Sequence, residues 1–163
     1  MRVLCCLDGT NLEQISNAIA TLITTDTHTL SFIHVIDTRP EREMERRTGP
    51  LLRRSNPDTP RIEKMRQAEE EAAQEILAEA HIHHPEAETL YRKGQPERVI
   101  VNYVAEWNAD IVVICPRSPQ SGGPVIGPKS IGHIARFVVD HAPCPVLLVR
   151  VRTREGFPLP EKK

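Results

Sequence analysis

Long hydrophobic runs are missing from this 163-residue chain. The apolar run after Met1 extends only from Val3 to Leu7, too short for the core of a signal peptide. No stretch approaches the roughly 20 apolar residues that a membrane-spanning helix needs, so the sequence reads as cytoplasmic, with no membrane partner. Charge of one sign is absent too: 21 Lys+Arg stand against 22 Asp+Glu, for a formal net charge of -1. That balance removes any global argument for nucleic acid as a partner. Cysteine is sparse, and Cys5, Cys6, Cys115 and Cys144 show neither C-x-x-C spacing nor the density of a secreted disulfide scaffold. They read as reduced thiols. Histidines cluster only at His81-Ile82-His83-His84, just before Pro85 in a helix-to-strand connection and with no cysteine nearby, which favours a solvated turn over a metal site. No serine-histidine-acid order, paired catalytic carboxylates or base beside a nucleophile emerges from the spacings. An enzyme is therefore not expected, beyond slow, incidental ATP hydrolysis.

What is present is alternation of strand and helix. The stretch Asp110 to Arg150 shows it best: Ile111 to Ile114 is an unbroken β-branched run, as in a strand buried on both faces of a parallel sheet. A loop from Pro116 to Lys129 carries Gly122, Gly123 and Gly127, and Ile131, Ile134, Ala135 and Val138 then recur at helical spacing before Pro143. Val146 to Val149 supplies the next strand. Upstream, Val3 to Leu7 reads as a first strand closing on Asp8-Gly9-Thr10, and Asn11 with Gln14 forms a capping-box pattern for a helix carrying Leu12, Ile15, Ile19, Leu22 and Ile23. Leu30 to Ile36 is a second strand ending at Asp37. Thr59-Pro60 starts a helix with a weak face of Met65, Ala68, Ala72, Ile76 and Ala80; Thr89 to Tyr91 is a third strand, and Gly94-Gln95-Pro96 opens a helix bearing Val99, Ile100, Tyr103, Val104 and Trp107. Such order predicts parallel strands, right-handed crossovers and one domain. Residues 38–58 break the pattern with six arginines (Arg39, Arg42, Arg46, Arg47, Arg53, Arg54), prolines and little apolar content. They read as a solvated, partly disordered insertion, or as a basic flap over an anionic ligand.

Two stretches resemble a known family. Gly132-His133-Ile134-Ala135, with the run Val138 to Val149 containing His141-Ala142-Pro143-Cys144-Pro145-Val146, looks like the C-terminal signature of universal stress protein domains. Gly94, Pro96 and Glu97 after the third strand are similar to the same family's pattern. The resemblance implies one domain over residues 1–151, with the insertion at 38–58 and a tail from 152 to 163. It also implies the fold: an open five-stranded parallel α/β sheet, order 3-2-1-4-5, with helices on both faces, Rossmann-like and akin to the adenine nucleotide alpha hydrolases.

In that order strands one and four lie side by side with connections leaving in opposite directions, and the crevice between them is where open α/β sheets bind ligands. The resemblance implies ATP or another adenine nucleotide there, with Mg an optional companion of ATP. Carried over, Asp8 would meet ribose hydroxyls, the backbone at Val35 and Ile36 an adenine edge, and amides near Gly132 the phosphates. Gly9, Thr10, Arg117, Gly122, Gly123 and His133 complete the candidate set. By its residues alone, Asp8 reads first as a turn or cap residue before a helix, and the resemblance reverses that order. Many members carry a phosphate loop of Gly, two residues, Gly, nine residues, Gly, then Ser or Thr. Here Gly122 and Gly132 keep the nine-residue spacing, but Pro119 stands at the first glycine and His133 at the hydroxyl position. Proline removes an amide donor and fixes φ, whereas a histidine ring can donate to phosphate or simply lie on the surface. Family members dimerise through the last strand, so a homodimer through Val146–Val151 and an unidentified protein partner are expected. Two alternatives stand beside nucleotide binding: a non-nucleotide branch acting by dimerisation and protein contact, and a thiol sensor using Cys6 and Cys115. For those thiols, packing as small apolar side chains is the commoner role.

Overall fold

The computed structural model describes residues 1–23, 27–47, 59–117, 124, 126–127 and 129–150. Five strands, β1 (Arg2–Leu7), β2 (Thr29–Asp37), β3 (Glu88–Gly94), β4 (Ile111–Ile114) and β5 (Val146–Leu148), form one parallel sheet in the order β3-β2-β1-β4-β5. Among the described residues five helices accompany it: α1 (Leu12–Leu22), α2 (Arg39–Arg47), α3 (Thr59–His83), α4 (Pro96–Glu106) and α5 (His133–His141).

Strand alternation sorts the apolar residues into two cores. Val3, Cys5, Leu7, Phe32 and Val113 pack with Ile15 and Ile19 of α1 and Leu77 and Ala80 of α3. Leu4, Cys6, Ile33, Val112 and Ile114 pack with Ile100 and Val104 of α4 and Ala135 and Val138 of α5. Leu4, Ile15, Phe32, Ile33, Val112 and Val113 are fully shielded from solvent, as the unbroken apolar runs require of a sheet covered on both faces.

Two elements differ from the sequence reading. Arg39–Arg47, expected to be irregular, is helical. Its start is fixed by Asp37, whose Oδ1 accepts the Arg39 amide at 2.9 Å, and its flank by an ion pair between Glu41 and Arg66 of α3. Local capping and a cross-helix pair thus supply what apolar periodicity does not. Residues 48–58 of the insertion lie outside the described residues. Helix α3 buries Ala73, Leu77 and Ala80, with Ile76 partly covered, while Ala68 and Ala72 are exposed. So many alanines left its inward face ambiguous by about a quarter turn. The helix also runs through His81 to His83, which occupy its last turn, exposed, rather than a connecting turn. Among the described residues no group of three or more His, Cys, Asp or Glu side chains could hold a metal, and no helix is long and apolar enough to cross a membrane.

Candidate functional site

A cavity of about 640 Å³ opens at the carboxyl ends of β1, β2 and β4, between the loop after β1, the start of α2 and the start of α5. Its volume suits a small organic ligand. Asp8, Thr10, Val35, Arg117, Gly132 and His133 line it, so the fold brings six of the nine sequence-picked candidates together. Gly9 lies within the Asp8-to-Thr10 turn without lining it, and Gly122 and Gly123, like Pro119, lie outside the described residues.

The β1 wall is built by a turn. Gly9 has φ +92, and a side chain there would meet Ile76 at 3.1 Å, which makes glycine the fitting residue. Asp8 Oδ1 accepts the Thr10 amide at 2.8 Å and the Thr10 hydroxyl at 3.0 Å, which places the carboxylate at the cavity edge. Asn11 behaves differently from the capping-box expectation. Its side chain makes no helix cap; it is 4% exposed and clamps the turn, accepting from the Asp8 amide and donating to the Cys6 carbonyl, both at 3.0 Å. Gln14 instead donates to the Val149 carbonyl at 2.9 Å. Burial decides the matter: a shielded Asn must satisfy its amide, and the strand end offers both partners.

The β2 wall follows from register. The pairing of β1 with β2 ends at Leu7 opposite His34, while β2 continues against β3 to Asp37 opposite Gly94. Val35 to Asp37 therefore run past the end of β1, and along them the backbone edge turned toward β1 has no strand beside it. His34 closes the gap with a ring-to-carbonyl hydrogen bond to Leu7 at 3.0 Å. On the far wall the Arg117 amide donates to the Ile131 carbonyl at 3.1 Å, pinning together the two ends of the glycine-bearing loop. Gly132 has φ +83, and a side chain there would meet Arg117 Cβ at 3.0 Å, so glycine opens α5 at close quarters. Ser130, just before α5, is buried and receives a hydrogen bond from Arg150 at 3.3 Å.

Charged residues that periodicity could not single out complete the rim. Arg39 forks onto Asp37, its Nε 2.9 Å from each carboxylate oxygen and its Nη2 2.6 Å from Oδ2. Burial pushes the Asp37 carboxyl up, but the hydrogen bonds and charge of Arg39 outweigh it and hold the group below its ordinary value. Arg39 Nη1 extends to Glu97 Oε1 and to His133 Nε2, both at 3.4 Å. Sequence placed Arg39 in the 38–58 insertion, and the structure puts it on the cavity wall.

Cys6 and Cys115 both line the cavity, yet they belong to opposite core layers. Burial, with a smaller contribution from neighbouring thiols, pushes Cys6 well above the ordinary thiol range. Burial pushes Cys115 up to about 11, against a hydrogen bond from Asn11 and reinforced by Asp8. Neutral thiols packed in separate layers are poor redox partners, so the thiol-sensor alternative loses its physical basis. A base beside a hydroxyl does occur: Ser16 Oγ lies 2.8 Å from His84 Nε2, between α1 and the end of α3. His84 also packs against the Phe32 ring, with centroids 5.1 Å apart, and neither Ser16 nor His84 lines the cavity.

A doubly wound α/β domain with a ligand-sized crevice at its switch point is the class that fold and site define. The universal stress protein family model matches residues 1–150, and the chain belongs to that family. Among solved structures the chain is similar to the universal stress protein UspA from Lactobacillus plantarum, at 20% identity and TM-score 0.67, covering 92% of this chain and 97% of that one. A universal stress protein family protein from Arabidopsis thaliana with AMP bound shares 17% identity at TM-score 0.60, covering 98% and 96%. A universal stress protein in complex with cAMP shares 17% identity at TM-score 0.55, covering 93% and 98%. No curated protein matches the chain.

Proposed function

We propose that this protein is a regulatory module that binds an adenine nucleotide in the crevice at the carboxyl ends of β1, β2 and β4. The observation that carries the reading is convergence: Asp8, Val35, Arg117, Gly132 and His133, from four separate stretches of chain, line one cavity of about 640 Å³. Apolar side chains such as Ile33, Ile100, Ile114 and Ile131 line it too, and offer a base the surface it needs. Asp8 is the ribose acceptor, the free edge of β2 at Val35 meets the base, and Arg117 and His133 stand on the wall where phosphate would lie. Structural relatives were solved with AMP and with cAMP. Mg would accompany ATP through the phosphates rather than through a protein cage. The role is regulatory: binding changes the surface offered to partners, and no chemistry on the nucleotide is required. Calorimetric titration with AMP, ADP and ATP tests this. Micromolar binding weakened by at least about tenfold in Asp8→Ala supports it; absence of heat at millimolar nucleotide sinks it.

A second assembly-level reading rests on β5. Among the described residues it pairs with β4 alone, and Val146, Leu147 and Leu148 are only half-buried in the single chain. An apolar edge of this kind calls for a partner strand, and we infer a homodimer through it.

A further inference from the structure

Arg39 is the first residue of α2, two residues beyond the Asp37 that ends β2. That spacing lets Asp37 hold the backbone amide and one whole edge of the guanidinium, Nε and Nη2, at 2.6–2.9 Å. The other end of the guanidinium is held loosely. Nη1 stands 3.4 Å from both Glu97 Oε1 and His133 Nε2, and His133 Nε2 stands 3.2 Å from the same Glu97 oxygen. Contacts at these lengths are weak for charged partners, whose strong hydrogen bonds fall near 2.7–2.9 Å.

Placement adds direction. Asp37, Arg39 and His133 line the cavity, while Glu97 does not; it is 5% exposed, and its Oε2 is buried without a hydrogen-bond partner. The carboxylate therefore sits behind two donors that reach toward each other from opposite walls, Arg39 from the β2–α2 side and His133 from the start of α5. Among the described residues Nη1 has a carboxylate oxygen and an imidazole nitrogen as its partners, each at 3.4 Å. A phosphate oxygen is a far better acceptor for Nη1 than an imidazole nitrogen, and His133 with its proton on Nε2 donates to the same oxygen.

We propose that Arg39 and His133 clasp a phosphate group of the ligand across the crevice, with Glu97 behind them as the positioning carboxylate, so that Arg39 makes the site selective for phosphorylated nucleosides over free nucleosides. The inference rests on the nucleotide reading and names the residue of the arginine-rich insertion that acts in it.

Calorimetry with adenosine and AMP, on the wild type, Arg39→Gln and Arg39→Lys, tests it. Wild type binds AMP more tightly than adenosine; Arg39→Gln weakens AMP by roughly tenfold and leaves adenosine unchanged, the loss expected for one charge-assisted contact. Arg39→Lys recovers part of the AMP affinity, since a point charge replaces the fork. Unchanged adenosine binding also reports an intact cavity in each variant. Equal affinities of the wild type for adenosine and AMP, or equal losses of both in Arg39→Gln, overturn the inference while leaving the nucleotide reading in place. A wild type that binds neither compound overturns both.

Discussion

Cys6 and Asp8 stand at the same strand end, and their neighbourhoods give them opposite behaviour. Asp8 is exposed and held through Oδ1 by Thr10, available to a ligand. Cys6 is buried with Cys5, and burial raises both thiols far above their ordinary range. A buried thiol stays protonated and unreactive near neutral pH. Alkylation of the native protein with iodoacetamide at mildly alkaline pH should therefore label the half-buried Cys144 slowly and spare Cys5, Cys6 and Cys115, with all four labelled after unfolding. Fast native labelling of Cys115, or loss of two thiols to mild peroxide, would contradict this. At this scale the sequence was legible for residues whose job is set by chain position. Apolar periodicity located the strand and helix ends where Asp8, Gly132 and His133 lie, and the family resemblance picked those residues out there. That Arg39 meets Glu97 at 3.4 Å beside the cavity was not legible, because the pair joins the start of α2 to the start of α4, far apart in sequence.

Between residue and fold, the strand-to-helix turn after β1 shows how one buried polar side chain fixes a site. Asn11 ties the Asp8 amide to the Cys6 carbonyl, so the turn cannot open without leaving shielded polar groups unpaired. Replacement by alanine orphans both partners, and Asn11→Ala should cost about 2 kcal/mol in urea unfolding. A loss of a few tenths would mean that the clamp is dispensable. The capping-box pattern at Asn11 and Gln14 pointed to the right turn with the wrong partners, since sequence separation carries no information about burial. Helix α2 was illegible for a related reason: its start depends on Asp37 and its flank on Arg66, neither of which leaves an apolar stripe. Strands β1 and β4 were legible because burial on both faces demands unbroken apolar runs, whereas β3, exposed or half-buried throughout, was legible from its place in the strand–helix alternation.

For the molecule as a whole, sheet order determines both proposed surfaces. Putting β1 beside β4 creates the crevice, and putting β5 last leaves its outer edge unpaired among the described residues. The Val149 amide donates to the Ile114 carbonyl, so by alternation the Leu148 amide points away from β4, toward any partner strand. Leu148→Pro removes that outward donor without touching the pairing to β4. In sedimentation velocity the wild type should run as a dimer and Leu148→Pro as a folded monomer; a monomeric wild type at tens of micromolar would refute the proposed interface.

The central claim, a nucleotide in the switch-point crevice, is tested most directly by mapping AMP onto the backbone amides by heteronuclear NMR. Saturating AMP should move the amides of Thr10, Val35, Gly132 and His133 together along one binding curve and leave those of α3 and β5 in place. No shifts at millimolar AMP, or shifts confined to residues outside the crevice, would contradict the account.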